Sequence, residues 1–544
     1  MPKTIVIVGA VAGGATAAAR IRRLDEFSDI ILIEKSNYIS LANCGLPYFI
    51  GGEIKNESEL TLQTPESFEK RYRIEVLINH LATSLDLKKK TLLIKRLDTG
   101  QNFFQSYDYL LLAPGAEPII PDLPGLDRSS LFKLRTLTDA AAIKLKASSP
   151  EVKSAAVVGG GAIGLELAEN FVSLGLITSL YQRDEQVLPW LDFEMAQAAA
   201  LRLTQKGVKV FFNSFSPTIA ADLVVAAVGV KPETKLAKEA GLLLNSRGFI
   251  EVDDRMRSSD PFVYAVGDAV ESFDSVSGLK GSLSLAGPAA KQARVAADNI
   301  CGLNSVYRGF QGASILRLFD LTIGAVGISE QRAQNLGLNF ETSHTHSLNC
   351  PAYMPGAEMM TIKIIFEKIS ARLLGAQIIG GKGADKRLDV LAGAIRANLS
   401  ALDLTAIDLG YSPSYGSAKD PINVAGYVIE NLISGKCHQI NWRDLACLPK
   451  DGSVNLIDVR SPKEYQAFHI DSFINLPLDD LRQNLDKIDK DKPVFLVCYL
   501  GLRSYLASRI LLQHGYKTAH LAGGLKLYQI ATAKIDRSAK SHLI

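Results

Sequence analysis

The chain has 544 residues, 47% hydrophobic and 22% charged, with a formal net charge of +3. That length predicts three or four domains with large buried cores, and the near-neutral balance excludes a nucleic-acid binder built on basic charge. The longest apolar runs, such as Thr4 to Val11, are too short to span a bilayer, and the N-terminus lacks a signal-peptide pattern, so a cytoplasmic protein without a membrane partner is expected. Six cysteines (Cys44, Cys301, Cys350, Cys437, Cys447 and Cys498) lack zinc-type spacing, which predicts neither a disulfide framework nor a metal site.

The first predicted elements are a strand, Thr4 to Val8, a glycine-rich turn, Gly9 to Gly14, and an alanine-rich helix, all within "KTIVIVGAVAGGATAAARIRRL". Glycines let the backbone approach a pyrophosphate and the helix N-terminus supplies N–H donors. Glu34, at the end of "DIILIE", is spaced to take ribose hydroxyls. Val11 stands at the middle glycine position of that turn. Next comes "SLANCGLPY", where Cys44 has no second cysteine within reach along the chain. A thiol at a helix start is expected to be acidified, and lowering its pKa by about two units requires about 2.7 kcal/mol of preference for the thiolate. The run Lys88-Lys89-Lys90 reads as a solvated hairpin turn.

A second fingerprint follows in "AAVVGGGAIGLELAENFVSLG", with Gly159, Gly161 and Gly164 after another strand. Its next strand, "ITSLYQRD", ends on Tyr181 and Gln182 where an acid would select NAD; Arg183 either meets a 2′-phosphate or faces solvent, so NADH and NADPH both stay open. Two dinucleotide sites on one chain suit hydride passage from a nicotinamide to a flavin, which assigns FAD to the first site. "YDYLLLAPGAEP" and "ADLVVAAVGVKPET" read as crossovers into and out of an inserted domain, and "FVYAVGDAV" ends a strand on Gly267 and Asp268, an acid placed for a ribityl hydroxyl. From "GASILRLFDLTIGAVGIS" to about Val428 the pattern is that of a half-buried antiparallel sheet. After "YVIENLISGK" a new strand and helix alternation begins with "VNLIDVRSPKEYQAFHIDSFINLPLDDL".

Through "GAVAGGAT", "SLANCGLPY", "YAVGDA", "LAGPA", "GADKRLDVLAGA" and "YSPSYGSAKD" the chain resembles, over nearly its whole length, the pyridine nucleotide-disulfide oxidoreductases. Specifically, it resembles the single-cysteine coenzyme A-disulfide reductases fused to a rhodanese domain. The resemblance implies an α/β architecture: a discontinuous Rossmann-like FAD domain (1–114 and 247–304), a Rossmann-like NAD(P) domain (115–246), an α+β dimerisation domain (305–430) and a rhodanese α/β domain (438–544). It implies that Cys44 is the redox centre beside the flavin and forms a mixed disulfide with coenzyme A. FAD would be held by Gly9, Ala12, Gly13, Gly14, Glu34, Lys35, Ala113, Gly115, Gly267, Asp268 and Ala286, and NADH or NADPH by Gly159, Gly161, Gly164, Arg183 and Gly229.

For coenzyme A the resemblance points to Thr16, Arg23, Ser40, Asn43 and Lys419. Arg20 lies one turn from Arg23 on the same helix face, suiting phosphate groups, although the family often has a different polar residue there. The family's substrate lysine falls on Tyr72, which leaves the flanking Arg71 and Arg73 as phosphate candidates. Tyr353 and Tyr411 match tyrosines that reach the partner subunit's cysteine, so a homodimer is implied and a monomer would be inactive. The chain departs from the family in having Cys350 in place of a histidine and Met354 in place of a tyrosine. The stretch between "FFNSF" and "ADLVV" is also shorter than the family's usual strand pair.

In the rhodanese-like part, the loop "CYLGLRS" would set Cys498 at the base of a nest of N–H groups that binds a persulfide as it would an anion. Gly501 permits the tight backbone and Arg503 adds charge; "IDVRSPKEY" and "HLAGGLKLY" are supporting matches. The resulting expectation is a homodimeric flavoenzyme that reduces coenzyme A persulfide, other persulfides or polysulfide to sulfide, and coenzyme A disulfide secondarily. The alternatives are an NADH oxidase or peroxidase cycling Cys44 through sulfenic acid, and a sulfur carrier with a structural flavin.

Overall fold

The computed structural model describes residues 2–123, 127, 130–214 and 219–535. These divide into two compact units, residues up to 183 with 207–310, and 184–206 with 311 onward. In the first unit the apolar runs form a parallel sheet in the order Val263–Ala265, Tyr109–Leu112, Thr4–Val8, Asp29–Ile33, Glu75–Leu77. Val6, Ile7, Leu32 and Leu111 are fully buried because both faces of this sheet are covered. On one face lie the helices Ala12–Leu24 and Ala286–Ile300, whose buried Ala17, Ala18, Ala293 and Ala296 allow close approach. On the other, Leu85, Leu92 and Ile94 of an antiparallel meander (His80–Asp86, Thr91–Arg96, Asn102–Ser106) join the core. The lysine triplet is the tip of that meander's first hairpin.

A second parallel sheet runs Lys209–Phe211, Ile177–Tyr181, Ser154–Val158, Leu223–Ala226, Leu131–Lys133. The chain enters and leaves it through an antiparallel ribbon of Ala116–Pro118 with Val230–Pro232. Between its strands Lys209–Phe211 and Leu223–Ala226 the described residues carry no further strand, and 215–218 lie outside the described residues.

The second unit contains an antiparallel sheet in the order Ser314–Leu318, Leu321–Gly327, Leu373–Gly380, Met359–Glu367, Phe340–Leu348. Helices Ala384–Arg396 and Pro421–Ile433 pack on it, and so does the helix Phe193–Gln205. It also contains a parallel sheet in the order Gln439–Ile440, Thr518–Leu521, Val494–Val497, Asn455–Asp458, Ile474–Asn475. The expected fold class is therefore present: two Rossmann-like sheets, an α+β sheet domain and a C-terminal α/β domain. Among the described residues no helix is long and apolar enough to cross a membrane.

Candidate functional site

Backbone geometry fixes the glycines of the first turn. Gly9 has φ +98°, and a Cβ there would lie 2.1 Å from the Ala113 carbonyl oxygen; one on Gly14 would lie 1.7 Å from that of Gly9. The helix that follows has neither a side-chain cap at Val11 nor an acid in its first turn, so its N–H groups remain available to an anion. Glu34, buried below the turn, accepts N–H bonds from Ala10 and Ser36, both at 2.9 Å. Lys35 beside it is exposed. Gly267 (φ +81°) donates its N–H to Gln292 at 2.8 Å, and Asp268 pairs with Arg135 at 3.0 Å close to Gly115. The helix that begins at the exposed Ala286 packs against Gly267–Ala269.

The second turn repeats this design. A Cβ on Gly159 would meet the Ala227 carbonyl at 2.3 Å and one on Gly164 the Gly159 carbonyl at 1.9 Å, whereas among the described residues nothing lies within 4 Å of one on Gly161. Gly160 donates its N–H to Gln182 Oε1 at 2.8 Å, so a neutral amide here does what the Glu34 carboxylate does in the first turn. Tyr181 stacks on Phe211, while Arg183 and Gly229 are exposed. Both cradles, each a tight glycine turn opening a helix and the second with room at Gly161 where the backbone must meet a pyrophosphate, fit a dinucleotide.

Cys44 lies in a single 3-10 turn, Asn43–Gly45, ahead of the five-residue helix Leu46–Ile50. Ser40, at φ +50°, ties this segment to the first cradle by donating its N–H to Ala10 at 2.7 Å. Asn43 donates through Nδ2 to the Arg135 carbonyl at 3.3 Å, while its buried Oδ1 has no partner among the described residues. The expectation of an acidified thiol is corrected: the residue is exposed, yet desolvation by surrounding protein and the Glu166 and Asp268 carboxylates push the Cys44 thiol up, against Arg135. A helix of five residues offers little dipole to oppose them. Sequence reasoning missed Arg135 and Glu166, which come from distant segments and which no local spacing announces; it also gave no role to Tyr48 of "SLANCGLPY", whose hydroxyl donates to Glu166 at 3.3 Å.

Arg23 and Arg71 line one cavity of about 620 Å³ with Arg22, Tyr72 and Cys301. Thr16 is half-buried on the helix that carries Arg23, but Arg20 on that helix is held by Asp298 at 2.7 Å. Burial raises the Cys301 thiol to about 11, which makes it a poor nucleophile.

In the second unit Tyr353 and Tyr411 are 73% and 54% exposed. Crowding and the facing Tyr411 phenol push Tyr353 up, with Cys350 close by. The two segments that carry the tyrosines are fastened by Arg387, which pairs with Asp420 at 2.6 Å and donates to the carbonyls of Asn349 (3.4 Å) and Tyr415 (3.5 Å). Lys419, beside Asp420, is exposed.

Cys498 follows directly on the strand Val494–Val497 and is buried. Its Sγ accepts N–H bonds from Gly501 (3.1 Å) and Ser504 (3.3 Å) and lies 3.4 Å from the Ser504 hydroxyl, while Gly501 takes φ +98°. Two N–H groups of the loop thus converge on the Cys498 sulfur. Arg503, expected as an added charge, carries a partner that the sequence did not announce: two bonds to Glu464, of 2.6 and 2.7 Å.

Comparison with known proteins matches residues 3–293 to the pyridine nucleotide-disulphide oxidoreductase family, 314–420 to the dimerisation domain of that family, and 442–531 to the rhodanese-like domain. The coenzyme A disulfide reductase of Staphylococcus haemolyticus is 33% identical over 444 residues, covering 79% of this chain and all of that protein. Reduced CoADR-RHD of Bacillus anthracis superposes with a TM-score of 0.95 at 38% identity, covering 99% of this chain and all of that one. An NAD-dependent persulfide reductase from A. fulgidus gives 0.90 at 35% identity, covering 96% and 99%.

Proposed function

The chain belongs to the pyridine nucleotide-disulphide oxidoreductase family and carries a rhodanese-like domain, and from this we propose that it is an NAD(P)H-dependent reductase of coenzyme A persulfide, other persulfides or polysulfide, and coenzyme A disulfide. The observation that carries the reading is the lone Cys44 set against the first dinucleotide cradle, in the same unit as the Arg23–Arg71 cavity. With no second thiol in that segment, the other sulfur comes with the substrate.

The Cys44 thiolate attacks the carbon-bound sulfur of CoA–S–SH; the S–S bond breaks, hydrosulfide leaves and Cys44–S–S–CoA forms. With CoA–S–S–CoA the leaving group is the coenzyme A thiolate. Bound in the cradles, FAD and NAD(P)H would supply a hydride equivalent, an electron pair and one proton, which returns Cys44 to the thiolate and releases coenzyme A as the thiol. Arg23 and Arg71 hold the phosphates, Asn43 Oδ1 accepts from the pantetheine arm, and Tyr353 and Tyr411 of the other subunit in a homodimer protonate the departing sulfur. At Gly160 the neutral Gln182 presents no negative charge to a 2′-phosphate, which favours use of NADPH as well as NADH. Cys498 receives sulfane sulfur and holds it for reduction on the same chain.

The test is steady-state kinetics with NADH and NADPH against coenzyme A persulfide, coenzyme A disulfide, polysulfide and peroxide, on the wild type and Cys44→Ser. Sulfide release from the persulfide should vanish in the variant; undiminished release sinks the proposal. Peroxide turnover exceeding persulfide turnover favours a sulfenic-acid cycle instead.

A further inference from the structure

The strand Phe340–Leu348, "FETSHTHSL", forms the edge of the antiparallel sheet and carries polar side chains on both faces, yet its centre is buried. Pairing with Met359–Glu367 sets His344 opposite Lys363 and His346 opposite Thr361, so these four share a face. His344 and Lys363 are absorbed by a buried charge cluster. Lys363 lies 2.9 Å from Asp192 and 2.5 Å from both Glu194 and Glu330, and His344 lies 3.0 Å from Glu194.

His346 faces a different element. Its Nδ1 lies 2.9 Å from Thr361 Oγ1 and its Nε2 2.9 Å from the Gly523 carbonyl oxygen, in the C-terminal domain. A carbonyl only accepts, so Nε2 carries the proton and Nδ1 accepts from the threonine hydroxyl. The ring is neutral, because burial and the neighbouring Lys526 hold its pKa down to about 3. Gly523 and Gly524 are both left-handed, at φ +66° and +59°. The two N–H groups that follow are bonded to the reactive loop: Leu525 donates to the Cys498 carbonyl at 2.8 Å and Lys526 to that of Tyr499 at 2.9 Å. A Cβ on Gly524 would stand 2.5 Å from the Tyr499 carbonyl oxygen, so the turn is seated directly on the loop.

We propose that His346 is a positioning residue for sulfur transfer at Cys498: its Nε2–H, donated to Gly523, fixes the glycine turn and through it the loop backbone whose N–H groups meet the sulfur. The proposal rests on the reading that Cys498 carries sulfane sulfur. In that step the Cys498 thiolate takes the outer sulfur of a persulfide R–S–SH. The donor S–S bond breaks, a new one to Cys498 forms, and the proton passes to the departing thiolate, leaving R–SH and Cys498–S–S⁻. Gly501 and Ser504 donate to the sulfur, and an error in the loop removes that support.

The experiment measures sulfur transfer from glutathione persulfide to cyanide by the full-length holoenzyme, with coenzyme A disulfide reduction followed in parallel. His346→Phe should lower kcat for transfer about tenfold while KM changes less than about twofold and disulfide reduction is unchanged. His346→Gln, whose amide can donate to Gly523 and accept from Thr361, should stay within about twofold of the wild type. Transfer by His346→Phe at the wild-type rate, or a His346→Gln as impaired as His346→Phe, overturns the proposal. If His346→Phe loses both reactions by misfolding, Thr361→Val decides: transfer lowered about threefold supports the proposal and unchanged transfer overturns it. Cys498→Ser separates the two levels, because transfer that persists in that variant refutes the reading of Cys498 itself, and the proposal with it.

Discussion

Two thiols, Cys44 and Cys498, have contrasting surroundings. Desolvation and carboxylates raise the Cys44 thiol, while two N–H donors converge on Cys498. Beside Cys498 the Arg503 guanidinium is offset by Glu464, and its two bonds, with help from Ser461, hold the Glu464 carboxyl down to about 2. A depressed carboxyl pKa means that the pair is fully formed above the ordinary carboxylate range and is lost only as pH falls towards 2, so Arg503 is neutralised throughout the neutral range. Glu464→Gln removes that offset and should favour an anionic sulfur donor: KM for thiosulfate should fall about fivefold, and that for an alkyl persulfide should change little. An unchanged thiosulfate KM counts against the argument. The cysteines themselves were legible, since each sits in a quotable loop. Glu464 lies far from Arg503 along the chain and appeared only as part of "IDVRSPKEY".

The two glycine turns show how one element separates folding from binding. In the second turn Gly164 has no room for a Cβ, because the Gly159 backbone is 1.9 Å away, whereas Gly161 is extended, with nothing within 4 Å. Gly164→Ala should therefore destabilise the nucleotide domain and lower the melting temperature by several degrees, roughly 1–3 kcal/mol of overpacking. Gly161→Ala should leave melting unchanged and raise KM for NAD(P)H about tenfold, because its methyl group would occupy the space needed for the pyrophosphate. Equal melting losses in both variants contradict this division. Both turns and their parallel strands were legible because glycine spacing and continuous apolar runs record a fully covered sheet directly. The strand Phe340–Leu348 fell within the sheet expected up to about Val428, but its buried polar centre was not legible: Thr342, His344 and Thr345 are buried, and an apolar period cannot report burial of polar groups. The helix Phe193–Gln205 belongs by sequence to the expected nucleotide segment 115–246, yet it packs in the second unit through Lys363, a placement that periodicity does not encode.

At the scale of the whole molecule, the proposed reductase, with Cys44 as its one redox thiol, has to take the remaining groups from elsewhere. Tyr353 and Tyr411 stand largely exposed on the second unit, fastened through Arg387 and with their phenols facing each other, which supports the proposal that they serve a second copy of the chain. In a two-fold dimer each site would then combine Cys44 of one subunit with the tyrosines of the other. Cys44→Ser and the double variant Tyr353→Phe/Tyr411→Phe should each be poorly active as homodimers. When the two are co-expressed, about half of the dimers are mixed, and each mixed dimer has one site with an intact cysteine facing intact tyrosines. Coenzyme A disulfide reduction should rise to about a quarter of the wild-type rate. If the tyrosines act on the cysteine of their own chain, no mixed dimer contains a complete site, and the co-expressed sample will be no more active than the average of its two parents.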